Sequence, residues 1–138
     1  MRTIKFRARR KNGKWVVGNF VNHFSTYFKT EERHSMFLPK PENDNGGYWV
    51  EDIEHNTIGQ FTGLCDCEGK EIYEGDILRF GNSQSGVCEV KWNESIAAFC
   101  ILFYYEGEIG SRPLGGGVEF AIIGNIHDNP ELLKGGEK

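Results

Sequence analysis

Glycines recur at short intervals through residues 58–80, IGQFTGLCDCEGKEIYEGDILRF, and divide that stretch into apolar segments too short for helices. Three clusters of turn residues separate the segments: Asp66, Glu68-Gly69-Lys70 and Gly75-Asp76. Glycine allows positive φ angles in tight turns, and Asp side chains accept hydrogen bonds from nearby backbone N–H groups. Eighteen glycines and ten phenylalanines in 138 residues give the whole chain the same character. Short strands without alternating helices predict a mainly β protein, a small barrel or roll rather than a parallel sheet.

The second half of the chain shows three further strand patterns, at residues 86–92, 97–105 and 118–123. The first alternates, which places Cys88, Val90 and Trp92 on one face. The second, AAFCILFYY, is a continuous apolar run typical of a strand buried on both faces or pairing between subunits. Between the second and third lies EGEIGSRPLGGG, which predicts a glycine-rich loop over residues 106–117.

The remaining segments are a short helical turn and a long excursion. Asn129 at the N-cap, Pro130 at the first helical position and Glu131 in the first turn predict one turn of helix near the C-terminus. Residues 22–50 mix aromatic, charged and proline residues and predict a long, partly ordered excursion. Only a short strand at residues 47–53 is expected near its end.

Asn12-Gly13 lies between two alternating runs and predicts an N-terminal β-hairpin with a two-residue turn. Pairing about that turn sets Arg10 opposite Trp15 and Ala8 opposite Val17. The opposite face then carries Lys5, Arg7 and Arg9 across from Phe20, Gly18 and Val16. The face predicted to be core consists of Ile4, Phe6, Ala8, Trp15, Val17 and Val21.

Charge is distributed unevenly along the chain. The first 30 residues hold eight bases and no acid, although the net charge of the protein is -4. A cluster of bases can bind phosphates or an acidic partner, with Phe20 or Trp15 available for stacking. The alternative, which we favour, is that the hairpin faces an acidic part of the same molecule or of a neighbouring subunit. The candidate nucleic-acid-binding residues are Lys5, Arg7, Arg9, Arg10, Lys11 and Lys14.

No arrangement of nucleophiles or metal ligands typical of an enzyme is found in the sequence. Cys65 and Cys67 are spaced C-x-C, whereas structural zinc sites use C-x₂₋₄-C knuckles, and the four histidines have no ligand spacing. His127-Asp128 is a weak candidate for a base and its orienting partner, since adjacent residues point apart. The chain contains no phosphate-binding or nucleophile-elbow motif. We therefore expect no catalytic residues, no metal and no cofactor.

Gly75-Asp76-Ile77 has a structural interpretation. A glycine before a strand lets the chain turn sharply, and the following Asp can accept backbone N–H groups that the turn leaves without partners. A catalytic base at Asp76 would need a second carboxylate, a His or a Ser in a recognisable arrangement beside it, and the sequence offers none. We expect residues 58–80 to build the fold rather than to perform chemistry.

The order of several motifs resembles the YopX family of phage and prophage proteins. The motifs are KFRA at residues 5–8, Gly13-Lys14-Trp15, IGQFTGLCDCEGKEIYEGDIL at residues 58–78, Val90-Lys91-Trp92 and IIGNIHDNPELL at residues 122–133. The chain departs from the family pattern in two places: Arg9 replaces a usual Trp, and Cys65 and Cys67 replace charged or polar residues.

The resemblance implies a single YopX-like domain over residues 1–138, built around an SH3-like β-barrel. Residues 1–57 would form the hairpin and the variable excursion, and residues 58–134 the barrel portion with the C-terminal helical turn. The residues expected to form the structural motif are Gly59, Gly63, Gly75, Asp76, Ile77, Trp92, Gly124, Asn129 and Pro130.

The expected function is that of a non-enzymatic accessory protein from a phage or prophage, which acts by binding or self-assembly. The expected partner is another copy of the chain, and a nucleic acid bound by the basic hairpin is the alternative. A hydrolase or nuclease is the least supported class. The chain has no long apolar run, no signal-peptide pattern at its N-terminus, and four cysteines expected to be reduced, so we expect the cytoplasm of the host bacterium and no membrane partner.

Overall fold

The computed structural model describes residues 2–24, 32–39, 48–80, 86–105, 108–115 and 120–134. The chain forms two compact units, Met1–Gln60 and Phe61–Lys138. Both are built from antiparallel strands, so the predicted mainly β class is confirmed. Of the helices in the described ranges, none has the length and apolar character needed to cross a bilayer.

The first unit is an antiparallel sheet with strand order β4-β3-β2-β1-β5. A single 3₁₀ turn, His55–Thr57, connects β4 to β5. The strands are β1 Phe6–Arg9, β2 Trp15–Phe24, β3 Glu32–Pro39, β4 Tyr48–Asp52 and the beginning of β5, Gly59–Cys65.

The N-terminal hairpin forms as predicted, but the predicted register is wrong by one residue. Arg9 lies opposite Trp15 and Ala8 opposite Val16. The turn has three residues rather than two, since Arg10 N donates to Lys14 O at 2.8 Å and Gly13 N to Arg10 O at 2.9 Å. Gly13 has a φ of 89°, whereas Asn12 is not among the described residues with positive φ. A type I turn followed by a left-handed glycine therefore replaces the mirror-image turn that Asn-Gly favours.

The shifted register exchanges the two faces of β2. Val16 packs with Phe6 and Ile58 on the buried pair Ala8 and Ile53, which form the core of this unit. Val17 instead lies on the outer face, 46% exposed, and Trp15 joins it beside Arg7 and Arg9. A one-residue slip in pairing always moves a strand's side chains to the opposite face. The predicted core positions of Phe6 and Ala8 on β1 are unaffected.

The second unit contains a five-stranded antiparallel sheet with strand order β10-β9-β8-β7-β11, and a short strand β6 that pairs with the end of β5. Its core is a cluster of buried residues: Ile72, Leu78, Cys88, Val90, Ile101 and Phe120. The elements are β6 Glu71–Tyr73, β7 Asp76–Phe80, β8 Val87–Asn93, β9 Ala98–Tyr105, β10 Glu108–Pro113, β11 Phe120–Asn125 and α1 Glu131–Lys134.

This sheet is not a closed barrel, contrary to the expectation from the resemblance. β10 and β11 are its two edges, and within the described residues they do not pair with each other. Closure requires every strand to have two neighbours around the sheet.

Two segments predicted to be irregular contain strands. Residues 108–113 of the predicted glycine-rich loop form β10, which pairs with β9 along its whole length. Gly110 is tolerated in this strand because the ring of Phe103, directly opposite, occupies the space where a side chain would stand. In the predicted excursion, β3 was missed, and β4 confirms the strand expected at residues 47–53. Residues 25–31, 40–47, 106–107 and 116–117 of these two segments lie outside the described residues.

Candidate functional site

The basic hairpin uses two of its arginines within the first unit. The Arg7 guanidinium lies 4.9 Å from the centre of the Trp15 ring. Arg9 forms an ion pair with Glu54, with 2.8 Å between Nη2 and Oε2 and 3.0 Å between Nε and Oε2. Thus Trp15, expected from the sequence to stack on a nucleobase, instead forms a cation–π contact with Arg7 of its own chain.

The backbone of Arg9 is also hydrogen-bonded to the segment before β5. Arg9 N donates to Thr57 Oγ1 at 2.9 Å, and Glu54 N donates to Arg9 O at 2.9 Å. Thr57 Oγ1 in turn donates to Glu54 O at 2.6 Å. Glu54 therefore neutralises one base of the predicted nucleic-acid surface and helps to fix its strand.

Of the other four candidate bases, only the two in the hairpin turn are exposed to solvent. Lys11 and Lys14 are exposed, whereas Lys5 and Arg10 are half-buried. The side chain of Phe20, the second predicted stacking residue, lies outside the described residues. The structure thus places two of the six candidate bases on open surface and does not bring the six together as one row.

The Cys65-Asp66-Cys67 turn lies against the outer edge of β11. Both cysteines are exposed thiols, and Asp66 between them is 8% exposed. Asp66 Oδ1 accepts hydrogen bonds from Glu68 N and Lys70 N, each at 2.9 Å, and Oδ2 accepts one from Ile122 N at 3.2 Å. Cys67 N donates to Phe120 O at 2.8 Å. The turn therefore occupies hydrogen-bonding positions on the edge strand β11.

The bond to Ile122 was not predictable from the sequence. The turn role of Asp66 could be expected from Glu68-Gly69-Lys70, since Asp commonly bonds to the backbone two residues later. Ile122 is 56 residues away, and no local pattern links the two positions.

Asp66 gives the stability of the fold a defined pH dependence. Burial raises the pKa of its carboxyl, but the backbone hydrogen bonds from Lys70, Ile122 and Glu68 and the Lys70 charge together outweigh burial, so the pKa lies below its ordinary value. A carboxylate with a lowered folded-state pKa adds stability above its unfolded-state pKa. That contribution is lost as the pH falls through the folded-state pKa.

We expect Asp66→Asn to lower the free energy of unfolding by about 1–2 kcal/mol at neutral pH. The difference from the wild type should shrink as the pH falls below the ordinary aspartate pKa of about 3.9, and it should be lost as the pH passes the lower folded-state pKa. Urea unfolding between about pH 3 and 7 measures both effects. Glu94→Gln, which changes an exposed carboxylate in the β8–β9 turn, is the matched control. A difference that stays constant over this pH range would contradict the assignment.

Gly75-Asp76-Ile77 occupies the interior of the second unit. Gly75 has a φ of 91°, a conformation that side chains disfavour. Its N–H donates to Val90 O at 2.8 Å, and its carbonyl accepts from Ile126 N at 2.9 Å. Asp76, 1% exposed, accepts Tyr73 N through Oδ2 at 2.8 Å, the type of bond that the sequence predicts. Its carboxylate is thus held at the turn, away from solvent.

The remaining titratable residues do not assemble into a metal site in the part of the chain that the structure describes, where no three His, Cys, Asp or Glu side chains form a ligand group. Cys88 and Cys100 are buried, and burial raises the pKa of the Cys88 thiol to about 11.

His127 N and Asp128 N both donate to Asn125 Oδ1, at 3.0 and 2.9 Å, which fixes the backbone of this turn.

The other predicted motif residues lie at turns, edges and strand irregularities. Gly63 has a φ of 88° at the irregularity in β5, and Gly59 pairs with Arg7. Trp92 is exposed at the end of β8, 5.0 Å from Phe99 between ring centres in an edge-to-face contact. Cys88 and Val90 are buried as predicted for the same face.

The outer edge of β10 is the clearest candidate for a binding site. Leu114 N donates to Phe99 O at 2.8 Å, which fixes the alternation of the ladder between β10 and β9. It follows that the backbone groups of Ile109 and Ser111 point away from β9. No described strand pairs with this edge, and the Ile109 side chain is 68% exposed. One edge of the sheet is therefore covered by the Asp66 turn, whereas the other presents backbone donors and acceptors beside an exposed isoleucine.

These features define a class: antiparallel β proteins of two units, with one covered and one open edge on the second sheet. A family model described as YopX protein matches residues 5–134, and the chain belongs to the YopX family. Among solved structures it is similar to the crystal structure of protein EF1440 from Enterococcus faecalis, with 24% sequence identity and a TM-score of 0.45. That match covers 96% of this chain and 99% of the other. No curated protein matches the chain.

Proposed function

We propose that the protein is a non-enzymatic accessory protein of a phage or prophage that acts by binding and associates with copies of itself. Membership of the YopX family supports this origin, through the phage and prophage proteins that the sequence motifs resemble. We further propose that it acts in the cytoplasm of the host bacterium, and that its second unit is an SH3-like roll that has remained open. The buried Asp76 carboxylate accepts a hydrogen bond from Tyr73 N at the turn, which supports a structural rather than a catalytic role for this residue.

The main support for self-association is the outer edge of β10, with which no described strand pairs. An unpaired strand edge offers a row of N–H and C=O groups to a further strand, and natural proteins usually cover or charge such edges. Here β11 is covered by Asp66 and Cys67, whereas β10 presents Ile109, which is highly exposed. Pairing of strands across subunits is a common mode of recognition, in which main-chain hydrogen bonds supply much of the affinity.

We expect Ile109→Lys to weaken self-association by at least about tenfold, because an exposed lysine on an edge strand opposes strand pairing. Sedimentation analysis of the whole chain between about 1 and 100 µM measures the association. Ile96→Lys is the matched control, since Ile96 is 53% exposed in the β8–β9 turn and lies away from this edge. A wild-type protein that stays monomeric across that range would overturn the proposal.

Nucleic-acid binding is the alternative function, supported by the exposure of Lys11 and Lys14 at the hairpin turn. The ion pair between Arg9 and Glu54 and the stacking of Arg7 on Trp15 reduce the charge and the aromatic surface that the hairpin offers. Binding to DNA or RNA that falls steeply as salt is raised would favour this alternative.

A further inference from the structure

We infer that β10 pairs with β10 of a second copy, antiparallel, about a two-fold axis that passes through Gly110. This inference rests on the proposed function and names the partner, the strand and the register. A two-fold contact uses the same surface on both copies, so the strand must be complementary to itself. β10 has the sequence EIGSRP, with Glu108 and Arg112 at equal distances from Gly110.

The backbone of β10 suits this register. Antiparallel strands exchange hydrogen bonds between residues whose backbone groups point toward each other. On β10 these are Ile109 and Ser111, and the axis at Gly110 sets Ile109 of each copy opposite Ser111 of the other. Both residues have an N–H to donate, so each of the two pairs forms two hydrogen bonds.

The charges favour the same register over those that bring like charges together. With the axis at Gly110, Glu108 of each copy lies opposite Arg112 of the other. Directly opposite residues of unlike charge stabilise a sheet, and like charges destabilise it. Moving the axis to residue 108 opposes two glutamates, and moving it to residue 112 opposes two arginines. The latter register also sets Ser111 opposite Pro113, which has no N–H to donate.

The surroundings of Arg112 leave it available for this contact. Its guanidinium lies 4.9 Å from the centre of the Phe80 ring, and both side chains are exposed. Within the described residues neither Arg112 nor Glu108 forms an ion pair. Glu108 of the second copy would give Arg112 a carboxylate while Phe80 supports the guanidinium plane.

The residues at the axis also fit a close approach. Gly110 has no side chain, and its own Phe103 ring covers the position where one would stand. The two copies of Ile109 become diagonal neighbours on the other face of the combined sheet, within reach of each other. This contact removes from water part of the most exposed large apolar side chain among those described.

A charge exchange tests the register. Glu108→Arg gives a copy with two bases on β10, and Arg112→Glu gives a copy with two acids. Each variant alone should associate at least about tenfold more weakly than the wild type, because the two-fold axis doubles every like-charge pair. An equal mixture of the two should associate as heterodimers, and the double variant Glu108→Arg/Arg112→Glu should recover wild-type association. Sedimentation and native mass spectrometry of the whole chain at low salt measure these species.

The outcomes separate this inference from the proposed function. Glu94→Arg is the control for a change of charge on an exposed turn and should associate like the wild type. If both single variants associate as tightly as the wild type, self-association uses another surface and this inference is overturned alone. If they weaken but their mixture does not recover, the proposed register is wrong. A monomeric wild type overturns the inference and the proposed function together.

Discussion

Replacing Asp76 with alanine is expected to lower the free energy of unfolding by about 3 kcal/mol, a large fraction of the stability of a domain of this size. The carboxylate is 1% exposed and accepts Tyr73 N at 2.8 Å, so its removal leaves a buried N–H without that acceptor and a small cavity beside it. Urea unfolding followed by tryptophan fluorescence measures the loss.

Two further variants show whether the loss of stability in Asp76→Ala comes from the buried hydrogen bond. Asp76→Asn keeps an oxygen acceptor without the charge, so its cost should be smaller than that of alanine. Glu94→Ala removes an exposed carboxylate and should change stability by less than about 0.5 kcal/mol. A cost below about 1 kcal/mol for Asp76→Ala would show that the hydrogen bond to Tyr73 contributes little.

Gly124→Ala is expected to destabilise the protein by about 2 kcal/mol through a steric clash. A Cβ on Gly124 would stand 2.6 Å from Asn129 Oδ1 and 3.0 Å from Asn129 Cβ. Asn129 cannot move without cost, because its Oδ1 accepts Asn125 N at 3.3 Å and its carbonyl accepts Leu132 N at 3.1 Å at the beginning of α1. Thermal or urea unfolding measures the change.

A double-mutant cycle identifies the clashing partner. In the Asn129→Gly background the side chain that meets the new methyl group is absent, so Gly124→Ala should cost at least about 1 kcal/mol less than in the wild type. Equal costs in both backgrounds would place the clash elsewhere. Gly13→Ala, at an exposed turn with nothing within 4 Å of the added Cβ, tests the separate effect of a positive φ.

The elements that could be predicted from the sequence are those set by neighbouring residues. Gly75-Asp76 forms the turn and the hydrogen bond that its residue types favour, and Pro130-Glu131 begins the helical turn at α1. Asn129 lies before this helix as predicted, but its side chain bonds backward to Asn125 N rather than forward to a helical N–H. The residue types therefore predict the position of a turn better than the partner of each side chain.

Pairing register and sheet edges depend on contacts that local patterns do not contain. Asn12-Gly13 favours a two-residue turn, but the first unit adopts the register that places Val16, rather than Val17, against Ala8 and Ile53. Likewise Gly110 and Pro113 are typical of a loop, and the ring of Phe103 across the strand pair explains why this strand holds a glycine at residue 110. The candidate site at the outer edge of β10 could not be predicted. Whether a strand lies at the edge of a sheet depends on the order of all its strands, which no local sequence pattern contains.

The bond between Asp66 and Ile122 has a consequence for the size of any assembly. Units that present two complementary edges can add to one another without limit, and such growth leads to fibres. With β11 occupied by Asp66 and Cys67, a pair joined through β10 has no second edge of this sheet left for elongation. In the proposed pair, the Asp66 turn would therefore stop this sheet from growing beyond two copies.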